Sequence, residues 1–156
     1  MPEGAQIAAG QLAGDFTLGK DMRQKYVFIA GGIGITPFRS IIKNLTDTNQ
    51  KRPIIMLYAN KTPQDVVYKN IFDEAEKKLG IKTVYTLTQN PENAVGWTGE
   101  KGRINEQMIQ DKVPDYKERL YYVSGPKSMI DSFEKVLHNL GIPNSQIKTD
   151  FFPGFA

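Results

Sequence analysis

Two glycine turns carry the residues of this chain best suited to chemistry. The first, Gly31-Gly32-Ile33-Gly34-Ile35-Thr36-Pro37, follows an apolar run from Tyr26 to Ala30 and leads into a helix. Strand, glycine turn and helix start, in that order, bare backbone N–H groups at a helix N-terminus, where a phosphate can sit. Gly32 and Gly34 let the backbone approach a diphosphate. Thr36 is placed to cap the helix, and Pro37 gives up no N–H that the helix needs. Pro37 stands where a standard dinucleotide fingerprint has its third glycine, and no Gly-Lys-Ser/Thr follows, so this is not a Walker loop either. The same residues could also form a tight turn that holds nothing.

The second turn is Ser124-Gly125-Pro126-Lys127-Ser128-Met129. Ser124 ends a strand, which is where open α/β sheets bind their ligands. No His or carboxylate lies near it in sequence, so a hydrolase triad has no support. Met129 taken alone reads as helix core. Between the two turns, Tyr58-Ala59-Asn60-Lys61-Thr62 closes another strand, and Asp65 follows. An acid near this point can grip a ribose diol, whereas Lys61 could meet a 2′-phosphate. Thr62 and Asp65 also have the spacing of a helix cap, which alone would explain them.

The elements that must hold these turns alternate. Strands are predicted at 25–30, 53–60, 81–88, 120–124 and about 146–152. Helices are predicted from Pro37 to about Leu45, from Thr62 to Leu79, over a short segment capped by Asn105, and from Pro126 to Leu140. The Asn105 helix carries Ile104 and Ile109 as a hydrophobic staple, and Gly80 and Gly141 are stop signals. This order predicts a three-layer α/β/α domain on a parallel sheet of about five strands. Gln89–Gly102 reads as a loop, with Trp97 either tethering it or lining a groove.

The chain has 156 residues, 40% apolar and 24% charged, enough for one domain with a core. It has no cysteine, which excludes disulfides and thiolate-held clusters or zinc within it, and its one histidine, His138, leaves little for metal chemistry. The net charge of +3 comes from scattered basic residues, which does not favour nucleic acid. No apolar run approaches the ~20 residues of a membrane helix. No secretory signal is evident at the start, so a cytoplasmic setting is expected.

These segments together resemble the pyridine-nucleotide domain of the ferredoxin–NADP reductase superfamily. The matches run in the family's order: Gly31–Pro37, Tyr58–Thr62, Gly99-Glu100-Lys101-Gly102-Arg103-Ile104, Ser124-Gly125-Pro126 with Met129, and Phe152-Pro153-Gly154-Phe155. The Ala-Asn-x-Thr-x-x-Asp pattern at 59–65 looks like the cytochrome b5 reductase and nitrate reductase branch. The resemblance implies that NAD(P) binds here, and that hydride passes to FAD and electrons onward to a redox carrier. It implies that Thr36 and Gly31, Gly32, Ile33, Gly34, Ile35 and Pro37 hold the nicotinamide end and diphosphate. Asn60, Lys61, Thr62 and Asp65 would lie by the adenosine ribose.

Ser124, Gly125 and Pro126, with Met129, would line the hydride-transfer position, Ser124 standing where many members have Cys. Phe152 or Phe155 would lie near the flavin. The family's flavin-binding barrel is not recognisable in the chain. Residues 1–24 read as a remnant of its last strand and linker, and 25–156 as the nucleotide domain. The alternative is a non-catalytic nucleotide-binding or regulatory module of the same fold.

Overall fold

β1 (Tyr26–Gly31) is apolar at every position before its glycine, and all six of its residues are buried. Such a run suits a strand covered on both faces. In the computed structural model, which describes residues 16–152, β1 is a central strand. β2 (Ile54–Asn60) and β5 (Leu120–Pro126) flank it. β3 (Lys82–Leu87) and β4 (Glu100–Lys101) continue on one side, and β6 (Ile147–Phe152) closes the other. The order is β4-β3-β2-β1-β5-β6, and every pairing is parallel. The sixth strand was not expected. β4 pairs only with Thr86 and Leu87, and two residues inside a glycine-rich loop show no readable period.

Side chains of β1 alternate between two cores, as the pleat requires. Val27 and Ile29 join a cluster with Ile109, Ile130, Phe133 and Leu137, from α3 (Glu106–Lys112) and α4 (Lys127–Asn139). Tyr26, Phe28 and Ala30 join a cluster with Phe38, Ile42, Phe72 and Ala75, from α1 (Ile35–Asp47) and α2 (Lys69–Leu79). The result is the three-layer α/β/α domain. Phe28 and Phe38 stack with centroids 4.6 Å apart. Asn105 caps α3 as expected, its Oδ1 accepting from the Met108 N–H at 2.9 Å. Ile104 and Ile109 are both buried beside it.

Two local expectations are corrected. Thr36 is not the cap of α1. Gly34 holds that position, and Thr36 lies inside the first turn, donating its hydroxyl to the Ile33 carbonyl at 3.0 Å. The helix begins two residues before Pro37 because the glycine turn is itself helical, a 3-10 turn over Gly32–Gly34. Likewise, the Thr62 start signal does not open a helix reaching Leu79. It closes one 3-10 turn, Pro63–Asp65, after which Val66 is extended. Val66 packs on the core, and Tyr68 turns through the left-handed region at φ 59° before α2 begins.

Residues 16–25 form no strand, and the rest of the strand expected near the start lies outside the described residues. Phe16 and Leu18 pack on the α1/α2 core, and the Tyr122 hydroxyl donates to the Thr17 carbonyl at 2.7 Å. At the N-terminal ends of the strands, Arg119 is 8% exposed. Its guanidinium donates to Asp115 at 2.6 and 3.2 Å and to the carbonyls of Tyr26 and Pro53 at 3.1 and 3.3 Å. Lys25 reaches the same Asp115 at 2.8 Å. Burial alone would raise the Asp115 carboxyl, but the hydrogen bonds from Arg119 and Lys25 outweigh it and hold it at about 2. This cluster braces the end of the sheet away from the glycine turns.

Candidate functional site

At the other end, the C-terminal ends of the strands open on a groove of about 860 Å³. Parallel α/β sheets bind ligands in this crevice, and the volume suits a cofactor-sized molecule. β1 contributes Gly31, with Gly32 and Ile33 from the turn beyond it. β2 contributes Tyr58, Ala59 and Asn60, and the turn after it Lys61, Asp65 and Val67. The second glycine turn contributes Pro126, Ser128 and Met129, and α4 adds Phe133 and Val136 as an apolar wall. Segments nearly a hundred residues apart in sequence therefore meet as the two turns predicted.

The glycines are required here for different reasons. Gly32 has φ 51°, a backbone that side chains rarely adopt, and the space around its missing Cβ is open. Gly34 has ordinary helical angles, but a Cβ on it would stand 2.1 Å from the Ser124 carbonyl oxygen. The thioether of Met129 lies over Gly31, its Sδ 1.6 Å from where a Gly31 Cβ would be. Met129 is thus neither plain helix core nor a distant residue. It forms part of the groove floor between β1 and β5.

Several buried polar groups at this end have no hydrogen-bond partner. Asn60 is 2% exposed, yet neither its Oδ1 nor its Nδ2 is bonded. The Tyr58 hydroxyl meets no partner in full hydrogen-bond geometry either; burial pushes its pKa up, and the nearby Val67 backbone and Asn60 side chain offset part of that rise. Orphaned donors and acceptors are costly in a folded protein and call for a partner. Lys61 and Arg103 are exposed on the groove, and among the described residues neither forms an ion pair. Asp65 is held in place: its Oδ2 accepts from the Thr62 N–H at 2.8 Å and the Thr62 hydroxyl at 2.9 Å. A glycine turn left open at Gly32, an amide without a partner in hydrogen-bond geometry, two cations and an apolar wall fit a nucleotide carrying a diphosphate.

Not every predicted residue reaches the groove. Gly34, Ile35, Thr36, Pro37, Thr62, Ser124 and Gly125 do not line it. Ile35 is core, and Thr36 is exposed in the first turn of α1. Ser124 is fully buried with an unbonded hydroxyl, and it pairs Ala30 and Asp150 across the sheet. Phe152 ends β6 opposite Pro126. Trp97 lines a separate cleft beside β3, where its indole N–H donates to the Glu100 carbonyl at 2.9 Å, so it tethers the loop. Arg103 was missed as a groove residue, although an unassigned cation beside a glycine in the Gly99–Ile104 segment was a readable signal. Among the described residues no cluster of His, Asp and Glu could hold a metal, and no helix is long and apolar enough to cross a membrane.

Fold and groove together define an α/β nucleotide-binding domain of the kind found in pyridine-nucleotide oxidoreductases. The chain belongs to the oxidoreductase NAD-binding domain family, whose model matches residues 28–135. The nitrate reductase [NADPH] of Emericella nidulans is 36% identical over 76% of this chain and 14% of its own length. The NADH-cytochrome b5 reductase 1 of Dictyostelium discoideum is 31% identical over 87% of this chain and 48% of its own. A flavohemoglobin from Malassezia yamatoensis, solved with bound FAD and heme, shares the fold with a TM-score of 0.75 at 22% identity. The match covers 90% of this chain and 35% of that one. The chain therefore spans less than half the length of each of these relatives.

Proposed function

We propose that this chain is the pyridine-nucleotide domain of a flavin-dependent reductase, placing a nicotinamide so that hydride can pass to FAD and electrons onward to a redox carrier. The observation that carries the reading is the groove: two glycine turns meet over the strand ends, beside the orphaned side chain of Asn60. When bound, NAD(P)H supplies the hydride. The chain's residues supply position. The open face of Gly32 admits the diphosphate, and Lys61 and Arg103 offset its charge. Asn60 offers an amide to the adenosine half. Phe133 and Val136 keep one wall dry.

On this reading Thr36 lies toward the nicotinamide end. Ser124 and Gly125, beneath Met129, back the reacting position, with Pro126 at its rim. The FAD would be held chiefly by a flavin-binding domain or subunit, for which residues 1–24 would serve as the junction, and Phe152 would lie on the flavin side. A cytoplasmic setting, with its supply of reduced nucleotide, belongs to the same proposal. The relatives named for NADPH and for NADH divide on the choice of nucleotide.

Calorimetric titration with NADH and NADPH tests the binding step. A dissociation constant below about 1 mM for at least one of them is expected. No heat from either at that concentration would remove the reading. Dye reduction by the chain joined to a flavin domain, and none by the chain alone, would separate a reductase part from a module that only binds.

A further inference from the structure

The sequence holds five methionines and no cysteine, so methionine carries all of its sulfur chemistry. Among the described residues these sulfurs have different surroundings. Met56 is fully buried and Met108 is 8% exposed, both inside the cores. Met22 is 45% exposed, in the segment before β1. Met129 is half-buried, and of these four it alone lines the groove. Its thioether lies where the two glycine turns meet. Sδ fills the space that a Gly31 Cβ would need, and it stands 3.4 Å from where a Gly125 Cβ would be. Only the missing side chains of both glycines leave room for it. The Met129 side chain is thus packed on backbone on one side and borders the groove on the other.

We propose that Met129 is a site of reversible oxidation by hydrogen peroxide, and that its sulfoxide closes the groove to nucleotide. The closing rests on the nucleotide-binding reading above; the oxidation itself does not. A lone pair on Sδ attacks one peroxide oxygen and the O–O bond breaks. The hydroxide that leaves takes the proton from the oxygen now on sulfur and departs as water. Sulfur loses two electrons and the peroxide gains them. Peroxide is small and uncharged, so it can enter a groove of cofactor size. A thioether is apolar and a weak acceptor, whereas the sulfoxide is polar and one oxygen larger. Toward Gly31 and Gly125 there is no space for that oxygen. It must project into the groove, beside the Gly32 turn that the functional reading gives to the diphosphate. Two sets of acceptor oxygens then compete for the same N–H groups and the same volume. Oxidation of Met22 has no such effect. Its neighbour Asp21 is bonded through its carbonyl to Arg52, just before β2, at the opposite end of the sheet.

The test treats the full chain with hydrogen peroxide, removes the peroxide, and compares it with untreated chain. Peptide mapping by mass spectrometry reads the oxygen added at each methionine, and calorimetry reads the binding of NADH and NADPH. Met129 and Met22 should each gain one oxygen while Met56 and Met108 gain none. Nucleotide affinity should fall at least about tenfold, the scale of hydrogen bonds lost to a charged group. Methionine sulfoxide reductases should restore it. A Met22→Leu chain should lose affinity on treatment as the native chain does. In a Met129→Leu chain the ratio of treated to untreated affinity should stay near one, whatever its starting affinity. Circular dichroism should show the oxidised chain still folded. The proposal is overturned if Met129 stays unoxidised while Met22 is converted, if affinity survives full oxidation of Met129, or if the Met129→Leu chain is equally sensitive. Loss of binding through unfolding also overturns it. If neither nucleotide binds the untreated chain, the functional reading has failed and the closing of the groove fails with it, whereas binding that persists on oxidised Met129 sinks the closing alone.

Discussion

The Ser124 carbonyl oxygen stands 2.1 Å from the place a Cβ on Gly34 would take. The first glycine turn thus packs directly on the backbone of β5, and this contact sets the distance between the two turns that form the groove. Gly34 has φ −60° and ψ −5°, angles that alanine adopts freely. Any effect of a side chain there is therefore steric, and it is exerted on backbone, which cannot rotate out of the way. Gly34→Ala should cost about 1–3 kcal/mol of stability, as overpacking does. Urea unfolding measures this, and the nucleotide titration should weaken with it because the β1–α1 turn must shift.

Gly31→Ala should behave differently. Its Cβ meets the Met129 thioether, 1.6 Å away, and not backbone. Methionine is unbranched and can move, so the stability loss should be under about 1.5 kcal/mol. The displaced side chain has the groove to move into, and nucleotide affinity should fall by about tenfold, roughly 1.4 kcal/mol. Combining Gly31→Ala with Met129→Ala should recover most of that loss. Equal effects of Gly31→Ala with and without Met129 in a double-mutant cycle would show that the two residues are not coupled.

Asn60 should show opposite effects on stability and binding. Both of its polar atoms are buried without partners. Replacing it with the similarly sized Leu removes that penalty, so Asn60→Leu should leave the free protein as stable or stabilise it by about 1 kcal/mol. The same change should weaken nucleotide binding about tenfold. Thermal melts with and without NADH report both quantities. A destabilised free protein would mean that Asn60 already has a partner in solution.

The Asp115 cluster predicts an acid limb of stability. In the folded chain this carboxyl titrates at about 2, against an ordinary value of 3.8. A depressed folded value means that the stabilisation is complete above 3.8 and is lost as pH falls through about 2. Asp115→Asn should cost about 2 kcal/mol near neutral pH. That is less than the ~3–5 of breaking a fully buried pair, because a quarter of the Asp115 side chain is in solvent. The gap between native and variant urea midpoints should then close between pH 3.8 and 2. A gap that stays constant through that window would show that the ion pairs with Arg119 and Lys25 do not form.

Much of this molecule is legible in its sequence. The buried run Tyr26–Ala30, the stop signals Gly80 and Gly141 and the Asn105 cap are local: each depends on a period or on groups a few residues apart. Such features identify strands, helices and their order, and that order implies the layers. The Thr62–Asp65 box was legible for the same reason, though not the size of the turn it closes. Val66 leaves the helix to meet a core that other segments build.

What the tertiary structure decided is which side chains share the groove. β1 lies between β2 and β5, so Gly31, Asn60 and Met129 converge from three stretches of chain. Arg103 enters from a loop beyond the sheet's edge. Ser124 sits in the second turn by sequence, yet it is fully buried and off the groove wall. Hydrophobic period and capping act over one or two turns of chain and cannot specify strand order. A groove, a clash at a missing Cβ or an unpartnered amide exists only once that order has brought distant backbones together.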